Sequence, residues 1–128
     1  MKTVSKLKKE LDKWFSLYIR LRDSTSEGAV ICITCGCIKN YKQGMQNGHF
    51  QSRKHYATRW DEQNCQVQCA GCNVFRYGEQ FLFAKYLDER FYAGLSDELY
   101  FKSKQIVKFT NSEIEDMILK YKKLEDSM

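Results

Sequence analysis

Apolar residues recur with helical spacing at both ends of the 128-residue chain. From Val4 to about Leu21 they fall at every third or fourth position with lysines opposite, which predicts an amphipathic helix. Near the other end, the run Thr110-Asn111-Ser112-Glu113 has the form of a capping box. A second amphipathic pattern follows it and predicts a closing helix with apolar positions at Ile114, Met117, Ile118, Tyr121 and Leu124.

The middle of the chain loses this helical period. Residues 23–28 break the first helix, and a β-prone run from Ala29 to Ile33 follows. Turn residues such as Gly44 and Gly48 come next, so the stretch up to about Ala70 is predicted to form a hairpin and an irregular loop.

Helical character returns after Cys72, with interruptions at Gly78 and Gly94, while residues 95–108 are ambiguous. We expect the large apolar residues of this stretch to be core packing rather than a stacking platform for bases. They are Phe75, Phe81, Phe83, Tyr86 and Leu87.

Two Cys-x-x-Cys pairs bracket the middle segment. Zinc prefers four soft or borderline ligands, such as cysteine thiolates, in a tetrahedron. Each Cys-x-x-Cys pair presents two thiolates from one tight turn. Gly36, directly after the first pair, suits a turn with an unusual backbone angle. We therefore predict a structural Zn²⁺ ion with four thiolate ligands, Cys32, Cys35, Cys69 and Cys72.

The competing interpretation is six ordinary buried or disulfide-bonded cysteines. The chain opens with the charged segment Met1-Lys2-Thr3 and no apolar signal region, so we expect a cytoplasmic protein in which disulfides are rare. Cys37 and Cys65 have poorer spacings for a zinc knuckle. Either could replace a ligand, but both are predicted to be buried free thiols.

Composition narrows the class of protein. With 43% hydrophobic and 14% aromatic residues the chain is not disordered, and no apolar run is long enough to span a membrane. Its length predicts one domain, residues 1–128. We divide it into a basic N-terminal helix (1–23), a zinc-stapled core (30–80) and a helical C-terminal part (81–128).

The net charge of +5 is unevenly distributed. Residues 1–22 carry seven basic and two acidic side chains, so they account for the whole net charge. This asymmetry indicates a DNA-binding face that includes Lys6, Lys9 and Lys13. The alternative is a solvated lysine face on a surface helix.

Three residues that lie between or directly after the two cysteine pairs suggest a nuclease site: His49, Asn64 and Asn73. Phosphodiester hydrolysis needs a base to activate water and a metal to stabilise the developing charge. In a ββα-metal site, a histidine ending the first strand is the base, with its Nδ1 oriented by a backbone carbonyl. An asparagine in the connecting loop fixes the geometry, and a histidine or asparagine on the helix binds the divalent ion. Singly, each residue is more often an ordinary surface or turn residue.

Several motifs together resemble the NinG/Rap family of phage recombination endonucleases and, more widely, the HNH (ββα-metal) nucleases with a zinc-knuckle scaffold. The resemblance covers about residues 30–95. The motifs are Cys32-x-x-Cys35-Gly36, Gly48-His49-Phe50, Ser52-Arg53, Arg59-Trp60-Asp61, Asn64, Gln68-Cys69-x-x-Cys72-Asn73 and Gly78.

The resemblance implies a fold and an activity. The fold is α+β, a small ββα-metal (HNH, treble-clef-like) core with structural zinc, flanked by N- and C-terminal helices. The activity is metal-dependent, structure-selective cleavage of branched DNA such as Holliday junctions and D-loops, by a phage- or prophage-encoded protein in the bacterial host cytoplasm. His49 would be the general base, Asn64 the orienting residue and Asn73 the ligand of a catalytic Mg²⁺ or Mn²⁺. Arg53 and Arg59 would contact phosphate.

The chain departs from the HNH pattern at Gly48, where many such sites have an Asp or His metal ligand. Asp61, Glu62 or Glu79 could then help to hold the ion. Two other functions stay open: a non-catalytic zinc-knuckle DNA-binding module, and a general HNH nuclease that cuts ordinary duplex. Symmetric resolution of a four-way junction needs two cuts, which favours a homodimer contacting through the aromatic surfaces of the terminal helices.

Overall fold

Helices at both ends of the chain enclose two small antiparallel sheets in an α+β arrangement. The computed structural model describes residues 3–128. In chain order the elements are α1 (Val4–Arg22), β1 (Ala29–Ile31), β2 (Ile38–Asn40), β3 (Met45–His49), α2 (Tyr56–Arg59), β4 (Cys65–Cys69), a π-helical segment (Gly71–Phe75), α3 (Gln80–Arg90), α4 (Leu95–Ser103) and α5 (Asn111–Asp126). No helix among these residues is long and apolar enough to cross a membrane.

The two terminal helices form as the apolar patterns predict and pack against each other. The Thr110 side chain accepts a hydrogen bond from the Glu113 backbone N–H at 3.1 Å, and the Glu113 carboxylate accepts one from the Thr110 N–H at 2.9 Å, which confirms the capping box. Phe15 of α1 meets Tyr121 of α5 edge-on at 5.0 Å. The aromatic surfaces expected to contact a second subunit therefore meet inside one chain.

The second sheet, β3 with β4, carries two of the predicted site residues, His49 and Cys69. Its antiparallel register sets His49 opposite Cys65 and Met45 opposite Cys69. All five residues of β4 are buried. Alternation along the strands places Met45 and Cys65 in the same hydrophobic cluster as the buried face of α1.

The opposite face of this sheet is filled by the fully buried side chain of Gln68. Its amide nitrogen donates to the Thr34 hydroxyl at 3.2 Å and to the Gly78 carbonyl at 2.9 Å. A Cβ added to Gly48 would lie 2.1 Å from Gln68 Oε1 and 2.7 Å from its Cδ. Gly48 is therefore needed for packing.

Exposure of two phenylalanines contradicts the expected core packing. Phe83 and Leu87 are buried in a second cluster with residues of α4, but Phe75 is 78% and Phe81 82% exposed. The reason is backbone conformation, since residues 77–79 all have positive φ and turn the chain between the π-helical segment and α3.

We predict that Gly48→Ala lowers the free energy of unfolding by about 1–3 kcal/mol, because the new methyl group overlaps Gln68. Urea denaturation measures this loss. Gly71→Ala is the matched control, since a Cβ there has no contact closer than 3.7 Å. In a Gln68→Ala background the loss from Gly48→Ala should shrink. An undiminished loss in that background would contradict the steric explanation.

Candidate functional site

Four cysteine sulfurs, three from the turn between β1 and β2 and one from β4, lie within 4.8 Å of one another: those of Cys32, Cys35, Cys37 and Cys69. Four thiolates about 2.3 Å from a tetrahedral zinc ion would lie about 3.8 Å apart. The Cys35 and Cys69 sulfurs are 3.7 Å apart. The cluster can therefore hold a metal ion such as Zn²⁺.

A tight turn between β1 and β2 gathers three of these thiols. The Gly36 N–H donates to the Cys32 carbonyl at 3.0 Å, and the Cys32 N–H donates to the Cys37 carbonyl at 2.9 Å. Gly36 has φ +78°, a conformation that glycine adopts without strain. The turn folds Cys37 back beside Cys32 and makes it a member of the cluster.

Cys37 thus joins this group, for which the sequence predicted Cys72 as the fourth ligand. The Cys72 thiol interacts with the Cys32 and Cys69 thiols. Cys72 is buried, but its sulfur lies outside the four-sulfur group and accepts a hydrogen bond from the Arg76 guanidinium at 3.1 Å. Its backbone N–H donates to the Cys69 sulfur at 3.4 Å. Cys65 is fully buried and is a free thiol, as predicted, and burial raises its pKa.

The thiols of the cluster differ in acidity. Burial acts to raise the pKa of Cys32, but hydrogen bonds from the Thr34 side chain and from backbone amides outweigh it and lower that pKa to about 6. A backbone hydrogen bond from Cys37 acts to lower the pKa of Cys35, but burial and the neighbouring thiols raise it to about 11. Four thiolates this close repel one another, so a bound cation would stabilise them together.

His49 ends β3 and lines a cavity of about 590 Å³ between the β3–β4 sheet and α1. The cavity also contains the predicted residues Arg53 and Asn73. Three predicted site residues therefore meet in one place. Its other walls include Asp12, Ser16, Arg20, Gln46, Asn47 and Ser52.

The His49 ring is held in one tautomer. Its Nε2 lies 2.9 Å from the Arg59 carbonyl oxygen, which can only accept, so Nε2 carries the hydrogen and Nδ1 the lone pair. Nδ1 was expected to make the backbone contact, and Nε2 makes it in the structure. Burial lowers the pKa of His49, so the ring is neutral at pH 7 and Nδ1 can accept a proton.

Asn64 orients the loop that holds His49 and does not line the cavity. It is fully buried at the start of β4. Its side-chain oxygen accepts from the Gln51 N–H at 2.8 Å, and its nitrogen donates to the carbonyls of Gln51 and Thr58, each at 3.0 Å. These bonds fix both ends of the loop that leads to the Arg59 carbonyl.

Arg59, which was expected to contact phosphate, is instead bound to Asp12 of α1. Its Nη2 lies 2.5 Å and its Nε 3.2 Å from the two carboxylate oxygens, and only 15% of its side chain is exposed. The Trp60 indole N–H also donates to Asp12, at 3.0 Å. Arg53 differs: its side chain is 64% exposed and its guanidinium is 3.8 Å from Asp12, which leaves it accessible to a phosphate.

Two asparagines of the cavity, Asn73 and Asn47, carry side-chain amide oxygens that could bind a metal ion. Asn73 donates its side-chain nitrogen to Gln46 Oε1 at 2.7 Å, which leaves its oxygen available as a ligand. Asn47 Oδ1 is buried and has no hydrogen-bond partner among residues 3–128. Asn47 was not among the site residues predicted from the sequence, although strand alternation puts it on the same face of β3 as His49.

The carboxylates proposed to complete a metal shell point elsewhere. Asp61 Oδ1 accepts from the backbone N–H groups of Gln63 and Asn64, while its other oxygen is paired with Lys102. Glu62 accepts from two tyrosine hydroxyls. Glu79 precedes α3 and does not line the cavity. The carboxylate in the cavity wall is Asp12, already paired with arginine.

Lysines of α1 lie beside this cavity. Lys6, Lys9 and Lys13 are exposed. Lys9 and Lys13 share the helical spacing of Ser16 and Arg20, which line the cavity, so these four side chains follow one stripe of α1.

We predict that Cys37→Ser reduces bound zinc from about one ion per chain to nearly none after dialysis against a chelator, whereas Cys72→Ser retains it. The reason is that Cys37 is a member of the four-sulfur group and Cys72 is not. Elemental analysis gives the stoichiometry, and Cys65→Ala is the control for a buried thiol outside the group. Zinc retained by Cys37→Ser and lost by Cys72→Ser would restore the ligand set expected from spacing.

Comparison with known proteins identifies a family. The family model of the bacteriophage lambda NinG protein matches residues 1–127. No curated protein and no solved structure matches the chain. Since the family model spans almost the whole sequence, the chain belongs to the NinG family.

Proposed function

We propose that this NinG-family chain is a DNA endonuclease that hydrolyses phosphodiester bonds in branched recombination intermediates, such as Holliday junctions and D-loops. The observation that carries the proposal is the cavity in which the neutral His49 ring, the Asn73 amide and the exposed Arg53 guanidinium meet. The preference for branched DNA rests on the resemblance of its motifs to the NinG/Rap endonucleases. Because resolving a four-way junction takes two cuts, we propose a homodimer as the acting form.

The chemistry assigned to this chain is general base catalysis. His49 Nδ1 takes a proton from a water molecule, whose oxygen forms a bond to phosphorus while the bond to the leaving sugar oxygen breaks. The Arg59 carbonyl holds the ring by its Nε2–H throughout. The Arg53 and Arg59 guanidinium groups disfavour the imidazolium that forms, and the Asp12 carboxylate favours it. Arg53 would contact the phosphate.

The donor set fits a divalent cation that takes part of its shell from DNA. Mg²⁺ or Mn²⁺ would stabilise the negative charge on the phosphate. Asn73 is the residue that would hold the ion, with Asn47 Oδ1 a second neutral oxygen in the same cavity. Since Asp12 is already paired with arginine, we expect phosphate oxygens and water to supply the remaining ligands.

The direct test is cleavage of labelled four-way junction, flap and duplex DNA with Mg²⁺, Mn²⁺ or EDTA. We expect cutting of the branched substrates that requires the divalent ion. Binding of all three substrates without cutting under any condition would favour the non-catalytic zinc module. Equal cutting of duplex and junction would favour a general HNH nuclease.

We predict that His49→Ala lowers the cleavage rate about 10²- to 10⁴-fold while junction affinity changes less than about twofold. A general base lowers the energy of the transition state and contributes little to ground-state binding. Single-turnover cleavage and fluorescence anisotropy measure the two quantities.

His55→Ala is the matched control, because His55 is the chain's other histidine and does not line the cavity. It should cut at the wild-type rate within about twofold. Near-wild-type cleavage by His49→Ala, with loss in His55→Ala, would transfer the base role to His55.

We further predict that replacing Lys6, Lys9 and Lys13 together by Gln weakens DNA binding and flattens the slope of log K against log salt by about two to three units. Each lysine that neutralises a phosphate releases about one counterion, and these side chains are exposed beside the cavity. Affinity measured at several salt concentrations gives the slope.

The matched control replaces Lys104, Lys108 and Lys123, which are exposed and do not line the cavity, with the same loss of charge. It should change the slope by less than about one unit. An unaltered slope in the α1 variant would place this helix away from the DNA.

A further inference from the structure

The stretch that follows Asn73 exposes an unusual number of aromatic rings. Phe75, Tyr77 and Phe81 are 78%, 90% and 82% exposed, and we call these three residues the aromatic edge. Single exposed apolar residues are common on proteins. Here three exposed rings fall within seven positions of the chain, and exposed apolar patches mark sites of interaction.

Hydrogen bonds hold the backbone of the aromatic edge. The Gly78 N–H donates to the Cys72 carbonyl at 2.8 Å, and the Arg76 N–H donates to the Gly71 carbonyl at 2.9 Å. The Gly78 carbonyl accepts from the buried Gln68 amide at 2.9 Å. The rings therefore project from a turn that is anchored to β4.

This turn contains two non-glycine residues in the left-handed region. Tyr77 has φ +54° and Glu79 has φ +49°. A bulky residue at positive φ is uncommon because its Cβ crowds the backbone. Strain of this kind persists at sites where a particular side-chain position is needed.

The aromatic edge adjoins the proposed nuclease site. Asn73 lines the cavity with His49, and Phe75 follows two positions later in the same π-helical segment. The segment also contains Glu79, but Arg76, whose Nη1 donates to the Cys72 sulfur, is exposed between two of the rings in sequence and adds a positive charge to the aromatic faces. That combination complements single-stranded DNA, whose bases stack on rings and whose phosphates bind cations.

We propose that the aromatic edge is a stacking platform for unpaired bases next to the bond that is cut. This inference rests on the proposed function and adds the element that distinguishes branched DNA from duplex. Bases at a branch point, fork or D-loop are free to leave the helix stack, whereas bases in an intact duplex are stacked on their neighbours. A ring beside the cavity therefore binds branched DNA and not intact duplex.

The test compares Phe75→Ala, Tyr77→Ala, Phe81→Ala and the triple variant with Phe101→Ala. Phe101 is the matched control, since it is 69% exposed on α4 and lies outside the aromatic edge. Affinity is measured in Ca²⁺ for a forked DNA with an unpaired arm, a four-way junction and an intact duplex. A 2-aminopurine base at the branch point reports stacking through its fluorescence.

We expect each stacked base to account for about a fivefold to hundredfold loss of affinity for fork and junction, with duplex affinity unchanged within about twofold. Quenching of 2-aminopurine by the wild type should diminish in the triple variant and persist in Phe101→Ala. Equal losses on duplex and fork, or no loss on either, would overturn the proposal.

A second copy of the chain is the competing occupant of the patch. Sedimentation that shows a dimer for the wild type and a monomer for the triple variant, with 2-aminopurine quenching unchanged, would assign the patch to self-association and overturn the proposal. Normal cleavage by variants that bind fork normally would reject the platform and leave the nuclease intact. Base stacking by a wild-type protein that cuts no DNA would reject the nuclease and leave the platform.

Discussion

The buried amide of Gln68 connects the parts of this molecule that matter for function. It occupies the space over Gly48. Its nitrogen donates to Thr34 in the turn between β1 and β2 and to Gly78 in the turn after the π-helical segment. This buried amide is costly to displace, because the buried Gly78 carbonyl would lose its bond from the side chain. One side chain thus fixes the cysteine cluster and the aromatic edge relative to β3.

A second set of contacts joins the N-terminal helix to His49. Asp12 of α1 binds the Arg59 side chain and the Trp60 indole, while the Arg59 backbone carbonyl holds His49. Removing one partner of a largely buried ion pair leaves an uncompensated charge. The basic helix is therefore part of the site's framework, and its lysines are presented from the side of α1 next to the cavity wall.

Local signals in the sequence were enough for the terminal helices and for the grouping of most of the cysteines. The capping box at Thr110 depends on residues three positions apart, and a Cys-x-x-Cys turn is equally local. The other features of the fold and the site depend on the path of the chain and on contacts between residues far apart in the sequence. Whether Cys37 or Cys72 joins the cluster depends on the path of a turn and a π-helical segment, and the exposure of Phe75 depends on the left-handed residues after it. The roles of Asp12 and Arg59 follow from a contact between α1 and a loop 47 residues away, for which the sequence has no spacing signal.

The β3–β4 sheet connects the cysteine cluster to the cavity that His49 lines, although the two sites are separate. Cys69 pairs with Met45 at one end of the sheet and Cys65 pairs with His49 at the other, about 14 Å away for five residues of strand. A slip of one residue in this register would move the His49 side chain to the face that Gln68 fills. A metal ion held by Cys69 and the β1–β2 turn would oppose that slip, because the turn would have to move with the strand. The cysteine cluster would thus help to keep His49 in its cavity from a distance.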